Sequence, residues 1–194
     1  MLRTRLVLPD YIRPGLRIMF VGINPGLRSA AIGHHFAGYS NRFWKLLFDS
    51  RLVRGPLGTT DDFRLLEWDL GLTNVVARAT AGIDLLTARD YELGAARLRR
   101  LISRNRPRVV AILGITAFRQ IFRLPSAQPV SLGKQTHTLA GVSVFVLPNP
   151  SGRNAHYILS DHARGLSCAT QGGRPLMLCR ADGVVRTCSL LVLG

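Results

Sequence analysis

Short apolar runs alternate with amphipathic stretches along this chain, and the two periods predict different elements. Ile18 to Ile23 is an apolar run halted by Asn24-Pro25-Gly26, the pattern of a buried strand that ends in a turn. A glycine-punctuated loop follows, and Asn41 is placed to cap a helix whose apolar face is Phe43, Trp44, Leu46, Leu47 and Phe48. Thr60-Asp61-Asp62 can start a short helix through Phe63, Leu65, Leu66 and Trp68. Gly71 to Ala77 reads as a second strand, closed by a polar loop from Arg78 to Asp84.

From Thr87 to Asn105 the spacing of Leu93, Leu98, Leu101 and Ile102 predicts an amphipathic helix, with Arg97, Arg99, Arg100 and Arg104 on a solvated face. Arg108 to Leu113 is continuously apolar, as expected of a central parallel strand covered on both sides. Gly114 then turns the chain into a helix, Ile115 to Phe122. Thr136 to Leu139 and Val142 to Leu147 form a strand pair around Ala140-Gly141, and the second strand stops at Pro148-Asn149-Pro150-Ser151-Gly152. Strands alternating with helices predict an α/β fold with a mostly parallel sheet. No linker or repeat divides the chain, so residues 1–194 read as a single domain.

Charge adds a partner to this picture. The formal net charge is +15, from 26 Lys+Arg against 11 Asp+Glu. An excess of that size opposes compaction, and arginine forks suit phosphates, so a polyanion such as nucleic acid is the expected partner. No apolar run is long enough to span a membrane, and the opening MLRTRLVLPDYIRPG is not a secretory signal. Cys168, Cys179 and Cys188 are widely spaced without a C-x-x-C, which argues against zinc or iron–sulfur ligation and for a reduced compartment.

Chemistry is expected where apolar strands run into polar turns. Gly22-Ile23-Asn24-Pro25-Gly26 and Pro148-Asn149-Pro150-Ser151-Gly152-Arg153-Asn154 are the two candidates; if their strands are parallel neighbours, both turns face one cleft. Proline stiffens the backbone beside each carboxamide, which can orient a water or hold a base edge. Either motif alone also suits a local Asx turn. Phe36, at the far end of the first loop, could cover a flat polar ring. The glycines match neither a phosphate-binding loop nor a dinucleotide fingerprint, and no G-x-S-x-G elbow is present. His34 and His35 are adjacent and lack a carboxylate or cysteine at ligand spacing, so no metal site is expected.

The ordered motifs GINPGL, GHHFAGYSNRFWKLLF, GLTNVV, VVAILG, GKQT and LPNPSG resemble the mismatch-specific uracil/thymine-DNA glycosylases of the uracil-DNA glycosylase superfamily, over about residues 17–156. That resemblance implies a three-layer α/β/α sandwich, no cofactor, and a monofunctional enzyme of base excision repair. Its expected partner is double-stranded DNA carrying a G·U or G·T mismatch or a damaged pyrimidine. It implies that Asn24 positions the attacking water and that Gly22, Ile23, Phe36 and Asn149 form the base pocket. Ser151, Gly152, Arg153 and Asn154 correspond to the family's insertion loop, with Arg153 filling the vacated space or contacting a phosphate. Asp84 is a further candidate carboxylate for the cleft, and Lys134 is expected to shape the GKQT turn near the site. A monomer is expected, in the cytoplasm with the nucleoid or in a nucleus.

After about His156 the resemblance fades into a glycine-interrupted tail, residues 157–194. It reads as an irregular cap, as an added strand pair over Pro175–Cys179 and Val184–Leu193, or as an altered reading frame. Two other functions stay open: a non-catalytic DNA-binding module on the same scaffold, and a small-molecule nucleotide enzyme that leaves the positive charge unexplained.

Overall fold

Val109–Leu113, the most continuously apolar run, is β3 and occupies the middle of a five-stranded sheet. The computed structural model describes residues 7–152 and two further strands, β6 (Leu178–Ala181) and β7 (Val184–Thr187). The sheet is completed by β1 (Ile18–Gly22), β2 (Leu70–Asn74), β4 (Gly133–Leu139) and β5 (Val142–Leu147), in the order β2-β1-β3-β5-β4. The pairs β1/β2, β1/β3 and β3/β5 are parallel; only the edge strand β4 is antiparallel, to β5.

Alternation along the central strands builds two apolar layers. Ile18 and Phe20 of β1 and Ala111 and Leu113 of β3 face Phe43, Trp44, Leu46 and Leu47 of α2 (Phe43–Asp49) and Leu65 of the 3-10 helix Thr59–Trp68. Met19, Val21, Val110 and Ile112 face the other way. They pack on Leu98 and Ile102 of α3 (Ala88–Asn105) and on Ala117, Phe118 and Ile121 of α4 (Ile115–Phe122). A three-layer α/β/α sandwich with a mostly parallel central sheet results.

Several local expectations need correction. Asn41 lies two residues ahead of α2, yet its Oδ1 still accepts from the Phe43 amide at 2.9 Å, so it caps the helix from just outside. The first loop contains a six-residue helix, α1 (Leu27–Ile32), too short and too weakly capped to show in the apolar period. Leu93 does not join the core and is 54% exposed, because α3 buries Gly94 and Ala95 instead. Arg97 is not on a solvated face. It donates to the Asn74 carbonyl at 3.1 Å and pairs with Asp10, which in turn accepts from Thr73 Oγ1 at 2.6 Å. Arg99 donates to the Ile121 carbonyl at 3.2 Å, tying α3 to α4. In the tail, β6 and β7 pair antiparallel with each other, within the region expected to add strands.

Candidate active site

The four parallel strands end on one edge of the sheet, and their polar ends line a cavity of about 470 Å³. The two candidate strands, β1 and β5, are not neighbours: β3 lies between them. Parallel alignment nevertheless brings both turns to the same edge, where Asn24 and Asn149 line the same cavity. The chain runs from β1 to β2 on one side and crosses to β3 on the other. That reversal of strand order opens a crevice at the carboxyl ends.

Asn24 follows β1, and three acceptors hold its side-chain nitrogen: Thr80 Oγ1 at 2.7 Å, the Pro25 carbonyl at 3.1 Å and the Arg78 carbonyl at 3.2 Å. Thr80 is itself buried and donates to the Gly82 carbonyl at 2.7 Å, so its lone pairs face Asn24. Among the described residues nothing donates to Asn24 Oδ1, which is left for a ligand or a water. The acceptor loop is secured from behind. Arg78 bridges the Leu85 carbonyl and the Asp90 carboxylate, and that guanidinium, followed by the Thr87 amide, holds Asp90 well below the ordinary carboxylate range.

Phe36 lines the cavity with φ +53°, a left-handed conformation unusual for a large residue, and stacks on Phe43 with ring centroids 4.1 Å apart. One face is thereby taken, and the opposite face is the one a flat ring can use. Gly22 makes room at the floor: a β-carbon there would meet Asn74 Oδ1 at 2.5 Å and the Phe36 ring at 3.5 Å. Ile23 also lines the cavity.

His35 and Asn74, which sequence reasoning passed over, stand beside this floor. The Asn74 side-chain nitrogen lies 3.5 Å from His35 Nδ1, and His35 Nε2 lies 2.8 Å from the Pro9 carbonyl. Asp62, fully buried, braces the loop by accepting from the His35 amide at 2.9 Å, the Phe63 amide at 2.9 Å and His34 Nδ1 at 3.1 Å. Burial first and the Asp62 carboxylate second push the neighbouring Tyr11 hydroxyl up to about 12. The histidine pair therefore does have a carboxylate partner, brought in by the fold rather than by spacing. A usable signal for Asn74 existed: it is the carboxamide that closes the second strand, as Asn24 is the carboxamide after β1.

The second turn is more mixed. Asn149 lines the cavity, but its Oδ1 accepts from the Ser151 amide at 3.0 Å, an Asx turn that leaves its NH2 group for the cavity. Ser151 is also at the wall. Gly152 is required by packing within the protein. A β-carbon there would meet Ser40 Cβ at 2.3 Å and the Ser40 carbonyl at 2.8 Å. The Arg42 amide, donating to the Pro150 carbonyl at 3.0 Å, ties the same turn to the start of α2. Arg153 and Asn154 lie outside the described residues. Asp84 sits exposed at the cavity wall, in the middle of the short 3-10 helix Ile83–Leu85. Lys134, expected to shape the GKQT turn near the site, is exposed on β4 opposite Phe145 and does not line the cavity.

The arrangement offers a stacking face, three oriented carboxamides (Asn24, Asn74 and Asn149) and a buried threonine, with no lysine among the described lining residues. Such a set can bind a polar ring and hold a water. A solution NMR structure from Methanosarcina acetivorans, carried under the provisional name uracil DNA glycosylase, superposes with a TM-score of 0.58 at 16% identity. It covers 86% of this chain and 99% of its own. At that identity the likeness establishes a shared fold. The family model described as the uracil DNA glycosylase superfamily matches residues 9–165, which is most of the chain, and on that extent the protein belongs to the uracil DNA glycosylase superfamily.

Proposed function

We propose that this protein is a monofunctional DNA glycosylase that removes uracil opposite guanine, with thymine and modified pyrimidines as further bases for the same pocket. The observation that carries the reading is the triple anchoring of the Asn24 nitrogen, which leaves Oδ1 presented to a cavity that Phe36 also lines. A base stacked in a duplex cannot reach that cavity, so the nucleotide must rotate out, and a mispaired base is the easier one to extrude.

In the flipped complex the pyrimidine lies against the free face of Phe36, with its polar edge toward Asn74 and the Gly22–Ile23 backbone. Asn24 Oδ1 accepts a hydrogen bond from a water and aims its lone pair at the anomeric carbon. A carboxamide cannot take up the water's proton at neutral pH, nor does it offset positive charge building on the sugar. Bond breaking is therefore driven from the leaving group, by hydrogen bonds to the departing base that strengthen as it becomes anionic. Water then captures the sugar and releases a proton to solvent while the departing base anion takes one up, giving free base and an abasic site with the phosphodiester backbone intact. The absence of lysine among the described wall residues favours water over an amine as nucleophile.

The Pro148–Asn154 segment is assigned to the emptied duplex, with Arg153 as the filler and Asn154 beside the widowed guanine. The +15 charge supplies the phosphate attraction. The test is a labelled G·U duplex incubated with the protein and then treated with alkali, alongside G·T and G·C duplexes. Strand breaks at the uracil are expected. A duplex that is bound but never broken would leave a non-catalytic DNA-binding module on this scaffold.

A further inference from the structure

We infer that His35 determines which bases the cavity accepts, by holding the Asn74 carboxamide with its oxygen, rather than its nitrogen, toward the base. This rests on the glycosylase reading above and adds a positioning residue to it. His35 is 1% exposed, and its Nε2 lies 2.8 Å from the Pro9 carbonyl. A carbonyl only accepts, so Nε2 carries the ring's proton. A neutral imidazole has one N–H, which leaves Nδ1 bare. Nδ1 faces the Asn74 amide at 3.5 Å, a long hydrogen bond, and only the NH2 end of that amide suits it.

The oxygen must then point the other way. It lies 2.5 Å from where a β-carbon on Gly22 would stand, at the cavity floor beside Phe36. An acceptor at that place pairs with a ring N–H. Uracil and thymine carry one at N3; cytosine presents a lone pair there, which would face the oxygen directly. Reversing the amide would reverse the preference.

The histidine is itself fixed. The edge of Tyr11 packs against its ring, with centroids 5.8 Å apart. Asp62 from the 3-10 helix accepts its backbone amide, and Asp10, His34 and, beside the Asn74 carbonyl, Arg97 from α3 are the other charged or titratable groups around the pair. Burial outweighs the two carboxylates and lowers the imidazole pKa, which keeps the ring neutral at physiological pH. Protonation would convert Nδ1 to a donor, repel the NH2 group and turn the oxygen away from the base.

The experiment compares single-turnover release of 5-fluorouracil and 5-fluorocytosine opposite guanine, two bases that share the 5-substituent and differ at the C4–N3 edge. In His35→Leu the ratio of the two rates should fall by about tenfold or more. A merely structural role would slow both bases together and leave the ratio intact. His35→Phe, which keeps a ring at this position but has no Nδ1 acceptor, should lower the ratio likewise. An unchanged ratio in folded His35→Leu overturns the inference; if that variant does not fold, an unchanged ratio in His35→Phe does. Release of 5-fluorouracil with a ratio insensitive to both substitutions sinks this inference alone. Release of neither base by the wild type sinks the glycosylase reading, and this one with it.

Discussion

Asn24 Nδ2 and Thr80 Oγ1 lie 2.7 Å apart although 56 residues separate them in sequence. The bond decides which end of the Asn24 amide is free, since a hydroxyl that donates to the Gly82 carbonyl has only acceptor capacity left for Asn24. Thr80→Val keeps the volume and removes that acceptor. Single-turnover excision of uracil should fall by roughly ten- to a hundredfold, the scale of a small misplacement at a reacting centre. Asn24→Ala should abolish excision and leave binding to a G·U duplex within about threefold, because phosphate contacts carry most of the affinity. Gel shift and single-turnover kinetics on the same preparations check both. Wild-type excision by Asn24→Ala would remove this residue from the chemistry.

Gly22→Ala should block the base without unfolding the protein. Its methyl group would sit 2.5 Å from Asn74 Oδ1, and that side chain is held from behind by His35, so it cannot simply swing away. Excision should drop by at least about a hundredfold while the melting temperature changes by only a few degrees. Comparison of thermal melts with single-turnover rates separates a blocked pocket from a damaged fold; full activity would mean the base does not reach this floor.

The legible parts of this molecule were those governed by local rules. Continuous apolarity placed β3 at the centre and alternation placed β1 and β5 in parallel with it, which put Asn24 and Asn149 at one edge. What escaped were the contacts that only a closed fold creates. Nothing in the spacing joins Asp62 to His34 and His35, or His35 to Asn74, since each pair is brought together by the 3-10 helix and the loop packing over β2. Arg97 misled for the same reason: its position on α3 suits solvent, but Asp10 and the Asn74 carbonyl lie within its reach. The role of Gly152 was likewise invisible, because its neighbour Ser40 lies more than a hundred positions earlier.

Asp84 borders the cavity, yet an exposed carboxylate at the wall is screened by water and gives little help to a developing positive charge. Asp84→Asn should leave the single-turnover rate within about threefold and tighten DNA binding slightly, as one repulsive charge is lost. A loss of tenfold or more at saturating enzyme would place this carboxylate in the reaction.

Acid should loosen the loop behind the water site through Asp90. Its carboxyl is held below the ordinary value of 3.8, chiefly by Arg78 and then by the Thr87 amide. A depressed carboxylate stabilises the fold above its unfolded pKa and loses that contribution as pH falls through the folded one. The melting temperature of the wild type should therefore exceed that of Asp90→Asn at neutral pH, with the gap narrowing once pH drops below the ordinary value of 3.8 and closing only as the folded carboxyl itself takes up a proton. Because the Arg78 carbonyl also accepts from Asn24, Asp90→Asn should slow excision a few fold at pH 7. Parallel melting curves at every pH would show that this ion pair carries no pH-dependent stability.

Turnover should be limited by release of the abasic duplex rather than by excision. The phosphates that attract the substrate remain after the base has gone, and a chain of net charge +15 grips both duplexes alike. Excess enzyme then gives a single-turnover rate well above the steady-state rate. Added salt separates the two steps: it weakens phosphate contacts, so it should accelerate steady-state turnover until substrate binding itself fails. The rate at saturating enzyme reflects events inside the cavity and should hardly change over the same range. Equal single- and multiple-turnover rates at low salt, or a steady-state rate that only declines as salt is added, would shift the slow step from product release to the chemistry around Asn24.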